Sequence, residues 1–128
     1  MSDRTVAQKL QIKPGQRVLF VNAPSGYQKL VGALPAAAVV LKDVARPIDT
    51  IQVFVQDRQE LAAELGRLKS LLSPKGALWV TYRKGTSKIK TDVNRDTIRA
   101  YAQTLGLEGV SIFAVDEDWS ALRLKIVA

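Results

Sequence analysis

The sequence predicts a three-layer α/β domain in which a doubly wound, mostly parallel sheet lies between two layers of helices. Two observations lead to this prediction. Short apolar runs of strand length alternate along the chain with segments of helical character, and such alternation is typical of parallel strands joined by right-handed crossovers. The chain also has 128 residues, of which 47% are hydrophobic and 24% are charged, as in one globular domain. We therefore expect residues 1–128 to form a single domain.

Three strands and two short helices are predicted in the first half of the chain. Residues 17–21 (RVLFV) form an apolar run, as expected for a strand that is buried on both faces. Residues 50–56 are mostly β-branched or aromatic, which also favours a strand. The other predicted elements are an apolar strand at 36–42 and short helices at 5–10 and 27–34.

Two longer helices and three strands are predicted in the second half. Leucines recur at helical spacing through residues 57–72, with Asp57 as the N-cap, and residues 73–76 (SPKG) end this helix. Another helix is expected to begin near Asp92 and to end at Gly106. The predicted strands are 77–82, 110–115 and 121–127, the last two joined by an acidic turn.

The last predicted strand is expected to pair antiparallel with its neighbour, because only a short turn separates it from the strand before it. The sheet is otherwise expected to be parallel. The predicted fold is therefore a three-layer, Rossmann-like doubly wound sheet with an antiparallel C-terminal edge strand.

The chain contains no histidine and no cysteine. The absence of both residue types excludes Ser-His-Asp and Cys-His catalysis, disulfides and thiolate metal sites. The three acids at 116–118 are expected to form a solvated turn rather than a cation site, so no metal is predicted. Trp79 alternates with apolar residues inside a strand and is expected in the core, whereas Trp119 lies either in the core or in a binding corner.

The formal net charge is +7. A basic protein is attracted to anionic partners such as nucleotides and nucleic acid, although a basic balance also serves solubility alone. No apolar stretch is long enough to span a membrane, and the first residues have no apolar segment typical of a secretion signal. We therefore expect a cytoplasmic protein without a membrane partner.

Several segments resemble known families. The run LLSPKGALWVTYRKG (71–85) resembles the helix–turn–strand of Rossmann-like, class I methyltransferases, and VDEDWSALRLKI (115–126) resembles their C-terminal strand pair. Together with RVLFVNAPSGY and WVTYRKGTSKIKTDVNRD, they resemble a bacterial family of small basic proteins of uncharacterised function, over essentially the whole chain from Gln11. The order of elements resembles a class I methyltransferase shortened between its first and fourth strands.

The methyltransferase resemblance implies a site for S-adenosylmethionine (SAM). In those enzymes a GxGxG turn follows the first strand, and a carboxylate after the next strand binds the ribose hydroxyls. Here that turn is NAPSGY, with a single glycine. The corresponding candidates are Asn22, Ser25, Gly26 and Tyr27, with Asp43 as the candidate carboxylate. Alternatively, these residues only cap a helix and shape a turn, and the chain binds no cofactor.

A basic segment follows the predicted fourth strand and leads to the N-terminus of a helix. The candidate anion-binding residues are Arg83, Lys84, Thr86, Ser87, Lys88, Lys90 and Arg95. Exposed N–H groups and the helix dipole favour an anion at such a position. Alternatively, Asp92 caps the helix itself and the cations form a solvated loop.

Two functions fit these observations. The first is a non-catalytic module that binds phosphate-bearing ligands, either nucleotides or nucleic acid, through the basic segment. The alternative is a minimal or degenerate SAM-dependent methyltransferase, since methyl transfer depends mainly on positioning and does not require histidine. The sequence leaves open whether the chain is an enzyme and whether it is a monomer or a homodimer.

Overall fold

A computed structural model describes residues 5–41, 47–84 and 91–127. The helices are α1 (Val6–Lys9), α2 (Tyr27–Val31), α3 (Arg58–Lys69) and α4 (Arg95–Thr104). The strands are β1 (Arg17–Val21), β2 (Val39–Val40), β3 (Ile48–Phe54), β4 (Leu72–Arg83), β5 (Leu107–Ala114) and β6 (Trp119–Ile126). No helix in these three ranges is long and apolar enough to cross a membrane.

The six strands form one sheet in the order β2-β1-β3-β4-β6-β5. Strands β1 to β4 pair in parallel, and β6 pairs antiparallel with both of its neighbours. The α/β class and the mostly parallel sheet are therefore confirmed. The edge position predicted for the C-terminal strand is wrong, because β6 inserts between β4 and β5. The insertion buries Leu122 and Leu124 completely and leaves β5 at the edge.

Several element boundaries differ from the predicted ones, and three of these differences have a clear local reason. Strand β2 is shorter than 36–42, and Ala37, at φ 63°, lies in the turn before it. Strand β4 begins before Pro74 instead of after it, because Leu72 already pairs with Ile48 across a register shift. Helix α4 begins at Arg95, because Asn94 caps it.

The helices cover the two faces of the sheet unequally. Helices α3 and α4 lie on one face, where leucines of α3 pack with alternate residues of the central strands. Helices α1 and α2 lie on the other face and pack against a cluster that contains Phe54, Trp79 and Trp119. Asp57 accepts a hydrogen bond from the Glu60 amide at 2.9 Å, which confirms it as the N-cap of α3.

Two glycines give a matched test of this packing. A Cβ atom on Gly76 would lie 2.8 Å from the Asp49 carbonyl oxygen and 2.8 Å from Leu72 Cδ1, whereas one on Gly66, in α3, would meet no atom within 4 Å. Gly76→Ala is therefore expected to lower the free energy of unfolding by about 1–3 kcal/mol. Gly66→Ala is expected to raise it by roughly 0.5–1 kcal/mol. Urea denaturation measures both changes, and equal effects would contradict the described packing of β4 on β3.

Candidate functional site

The strand order reverses direction between β1 and β3, since the chain passes from β1 to β2 on one side and then to β3 on the other. In open α/β sheets, ligands bind outside the carboxyl ends of the strands at such a switch point. Three segments lie at this edge: the turn 22–27 after β1, Gln56 and Asp57 after β3, and Arg83 with Lys84 at the end of β4.

The turn after β1 has an unusual backbone. Asn22 and Gly26 both adopt the left-handed conformation, with φ values of 60° and 78°, which few residues other than glycine, asparagine and aspartate adopt readily. A Cβ atom at Gly26 would meet no atom within 4 Å, so the glycine leaves open space beside the backbone. This space belongs to an open groove of about 520 Å³, lined by Phe20, Ala23, Pro24, Gly26, Tyr27 and Lys29.

A buried chain of hydrogen bonds anchors this turn to the sheet. The Tyr27 hydroxyl donates to Gln52 Oε1 at 2.7 Å, and Gln52 Nε2 donates to Thr81 Oγ1 at 2.9 Å. All three residues are buried. Burial raises the pKa of the Tyr27 hydroxyl above its usual value, which the hydrogen bond with Gln52 partly opposes, so this group stays a neutral donor. The Tyr27–Gln52–Thr81 chain therefore joins the start of α2 to β3 and β4.

A row of aromatic rings runs from the groove along the same edge. Phe20 packs against Tyr27 with ring centroids 5.7 Å apart, Tyr27 against Phe54 at 4.7 Å, and Phe54 against Trp119 at 5.1 Å, each edge to face. Edge-to-face contacts are the arrangement that the ring quadrupoles favour. We call these four residues the aromatic row. It fixes the positions of three strand ends and of the turn relative to one another.

Arg83 lies at the far end of the aromatic row. Its guanidinium carbon is 4.3 Å from the centroid of the Trp119 ring, and its Nε donates to Gln56 Oε1 at 3.4 Å. The Lys84 amide donates to the Asp118 carbonyl oxygen at 2.7 Å. The end of β4 is thus held on one side by Asp118 and Trp119, at the start of β6, and on the other by Gln56, two residues after β3.

The predicted anion-binding residues do not all meet on one face. Arg83 lies on the face of α1 and α2, with Trp119. Arg95 is exposed, forms an ion pair with Asp96 at 3.8 Å, and opposes the burial that raises the pKa of Tyr82 on the face of α3 and α4. Four of the predicted residues and the candidate carboxylate lie outside the described residues; these are Thr86, Ser87, Lys88, Lys90 and Asp43.

The expectation that Asp92 caps the last helix is wrong. Asn94 caps α4, accepting from the Thr97 amide at 2.9 Å while the Thr97 hydroxyl accepts from the Asn94 amide. The Asp92 carboxylate instead accepts from the Arg58 amide at 2.8 Å, at the start of α3. Asn94 takes the capping position because a threonine three residues later completes a reciprocal capping box.

The acidic turn between β5 and β6 is stabilised by its own first residue. Asp116 Oδ1 accepts hydrogen bonds from the amides of Asp118 and Trp119 at 2.8 and 2.9 Å. In the described part of the chain no group of three metal-ligating side chains comes together. Trp119 is buried against Phe54, so it is a core residue that also supports Arg83.

Gln52 and Thr81 belong to this site, although neither was predicted from the sequence. Each is a polar residue inside an otherwise apolar strand, and a polar side chain in such a place requires a hydrogen-bond partner. That pattern was a usable signal, but it could not identify Tyr27 as the partner, because the two residues are far apart in the sequence.

Comparison with solved structures identifies the fold. A SAM-dependent methyltransferase from Aquifex aeolicus is similar with a TM-score of 0.65 and 17% identity, over 95% of this chain and 88% of that chain. This chain has a methyltransferase-like fold. A ribosomal protein L11 methylase from Lactobacillus delbrueckii subsp. bulgaricus gives a TM-score of 0.62 and 14% identity, over 96% and 76% of the two chains. A TehB-like SAM-dependent methyltransferase from Corynebacterium glutamicum gives 0.61 and 12%, over 98% and 89%.

At the level of sequence, no protein-family model and no curated protein matches the chain. The predicted resemblance to class I methyltransferases is thus confirmed for the fold over nearly the whole chain. The resemblance to a bacterial family of small basic proteins stays a prediction.

Proposed function

We propose that this chain binds SAM, or its product S-adenosylhomocysteine, in the groove beside the turn 22–27, as a methyltransferase-like domain. The observation that carries the proposal is the position of this groove. It opens at the switch point of the sheet, where Gly26 has no side chain and leaves the backbone accessible to a ligand. The similarity of nearly the whole chain to SAM-dependent methyltransferases supports the same ligand class.

The residues around the groove fit a ligand of this kind. Its volume of about 520 Å³ lies within the range of small-molecule sites. Phe20 and Pro24 provide apolar surface for a nucleoside, and Lys29 provides a cation for the carboxylate of the amino-acid portion. The turn departs from the GxGxG pattern, but Asn22 and Gly26 give it two left-handed positions.

The chemistry would come from the cofactor, since SAM supplies an activated methyl group whose carbon–sulfur bond breaks when an acceptor atom attacks it. The protein's part is to hold the two reactants in line, and positioning of this kind accounts for much of the acceleration of such reactions. The Tyr27–Gln52–Thr81 chain fixes the turn, and the aromatic row forms an apolar surface where the turn meets the sheet. Neither role requires a histidine.

Binding of S-adenosylhomocysteine to glycine variants tests the proposal. Gly26 and Gly15 have nearly the same backbone conformation, with φ values of 78° and 77°, and both have open space around the missing Cβ. They lie at opposite ends of β1, with Gly15 before the strand and Gly26 after it. Valine is expected to destabilise either site by about 1–2 kcal/mol, but only Gly26→Val should abolish binding, because its side chain enters the groove.

Thermal unfolding and calorimetric titration provide the measurement. For the wild type and for Gly15→Val, ligand at 100 times its dissociation constant is expected to add about 2.7 kcal/mol of stability, a shift of several degrees. The wild-type protein failing to shift with about 1 mM ligand would refute the proposal, as would equal binding by both variants.

The second candidate function is the phosphate-binding module predicted from the basic composition. The observation that favours it is the placement of Arg83 and Lys84, both half-buried, at the carboxyl end of β4. Binding of single-stranded nucleic acid that falls steeply with salt would support this function. It would replace the methyltransferase-like one only if S-adenosylhomocysteine failed to bind.

A further inference from the structure

We propose that Arg83 is the anchor for an acceptor molecule that carries an oxyanion, either a carboxylate or a phosphate group. This inference rests on the proposed function, because it names the class of molecule that would receive the methyl group. It concerns a different part of the edge from the cofactor groove.

The Arg83 guanidinium is oriented before any ligand arrives. One face lies over the Trp119 ring, 4.3 Å from its centroid, and the Nε group points toward Gln56 Oε1 at 3.4 Å. Trp119 is itself fixed by its edge-to-face contact with Phe54 and by the hydrogen bond that its backbone amide donates to Asp116 Oδ1. A guanidinium that is held in one plane loses less entropy when it binds an oxyanion than a free side chain does.

Among the described residues, the contacts that orient Arg83 are made by the face of its guanidinium and by its Nε. Within residues 5–41, 47–84 and 91–127, the ion pairs of the structure are Arg67 with Glu64, Arg95 with Asp96, and Lys125 with Glu108. None of these pairs includes Arg83. In the described part of the chain no ion pair occupies its two terminal nitrogens, and they form a planar pair of donors that matches two oxygens of a carboxylate or a phosphate.

The position of Arg83 is suited to an acceptor. It ends the central strand β4 at the edge where ligands of such sheets bind. The aromatic row connects it to the groove on the same face of the sheet, with Phe20 and Tyr27 at the groove end and Trp119 at the Arg83 end. A cofactor in the groove and an oxyanion on Arg83 would thus lie at the same end of the parallel strands, with Phe54 and Trp119 between them. The net charge of +7 favours the approach of an anionic acceptor.

A purely structural role for Arg83 makes a different prediction. If the residue only packed on Trp119, lysine or glutamine at position 83 would change stability but would leave anion binding unchanged. Arg95 is the matched control, since it is exposed and lies on the other face of the sheet. Arg95→Gln removes the same charge without touching Trp119.

The experiment is an NMR titration of the full chain with sodium phosphate and, separately, with sodium malonate at constant ionic strength. The indole N–H signal of Trp119 reports on Arg83, and that of Trp79, which is buried and bonded to the Leu10 carbonyl oxygen, is the internal control. We expect the Trp119 signal to move and the Trp79 signal to stay. Arg83→Gln should weaken binding by about tenfold or more, Arg83→Lys by a smaller factor because it keeps the charge but not the planar donors, and Arg95→Gln by less than about twofold.

Saturable binding of phosphate, of malonate or of both would support the oxyanion site. The anion that binds would also show whether the acceptor carries a phosphate group or a carboxylate. No movement of the Trp119 signal with either anion would overturn the inference, and so would equal weakening by Arg83→Gln and Arg95→Gln. S-adenosylhomocysteine binding is measured on the same variants. Arg83→Gln should bind it as the wild type does, which shows that the variant is folded. If the protein binds S-adenosylhomocysteine but neither anion, only the Arg83 inference is refuted. If it binds an anion but not S-adenosylhomocysteine, the proposed function is refuted.

Discussion

Gln52→Leu is expected to lower the free energy of unfolding by about 2–4 kcal/mol, the largest effect of any single change at the candidate site. Gln52 is fully buried, accepts from the Tyr27 hydroxyl at 2.7 Å and donates to Thr81 Oγ1 at 2.9 Å. Leucine fills a similar volume but leaves both hydroxyl groups buried without these partners. A buried polar group that has lost its partner costs roughly 1–3 kcal/mol. Urea denaturation followed by far-UV circular dichroism measures the change.

The control for this prediction is the triple variant Tyr27→Phe, Gln52→Leu, Thr81→Val. All three members of the hydrogen-bond chain are then apolar, so no buried group lacks a partner, and most of the lost stability is expected to return. The triple variant should still bind S-adenosylhomocysteine less tightly than the wild type, because the turn is no longer anchored by a directional bond. A triple variant less stable than Gln52→Leu alone would contradict the role assigned to the chain.

Trp79→Ala is expected to destabilise the protein by about 3–5 kcal/mol, the range for removing a large aromatic side chain from a core. Trp79 is 1% exposed and lies edge to face with Phe113 at 5.0 Å. Its indole N–H donates to the Leu10 carbonyl oxygen at 3.2 Å. The substitution therefore leaves a large cavity and also releases the segment after α1 from the sheet. The free energy of unfolding from urea denaturation is the measurement.

Trp79→Phe separates these two effects. Phenylalanine keeps the contact with Phe113 and much of the buried area but cannot donate to the Leu10 carbonyl group. We expect it to retain more than half of the stability that alanine loses, with increased hydrogen exchange confined to residues 5–12. Equal losses for alanine and phenylalanine would show that the hydrogen bond, and not the packing, holds this region together.

The fold could be predicted from local patterns. The run Val18–Val21 is apolar without interruption, and the leucines of 57–72 repeat at helical spacing, so both elements follow from burial and periodicity. Boundaries that depend on a partner were predicted less well. Strand β4 extends back to Leu72 only because Ile48 pairs with it, and α4 begins after Asn94 because Thr97 completes the cap.

The candidate site was predicted only in part, because some of its features depend on local sequence and others depend on distant partners. The turn that contains Gly26 and the placement of Arg83 at a strand end were predicted from their neighbours in the sequence. The partners of Tyr27, namely Gln52 and through it Thr81, depend on which strands lie side by side. Arg83 and Arg95 are close in sequence but lie on opposite faces of the sheet.

The sequence by itself determined the α/β fold class, the alternation of strands and helices, and the absence of histidine and cysteine side chains for chemistry. These properties depend on composition and on the spacing of apolar residues, which repeats every two to four positions and can be read directly from the sequence. The tertiary structure alone decided that β6 lies inside the sheet, that Tyr27 is bonded to Gln52, and that Trp119 supports the guanidinium of Arg83. The physical reason is that these contacts join residues 25 or more positions apart, and the sheet order that brings such residues together is fixed by the packing of the whole domain.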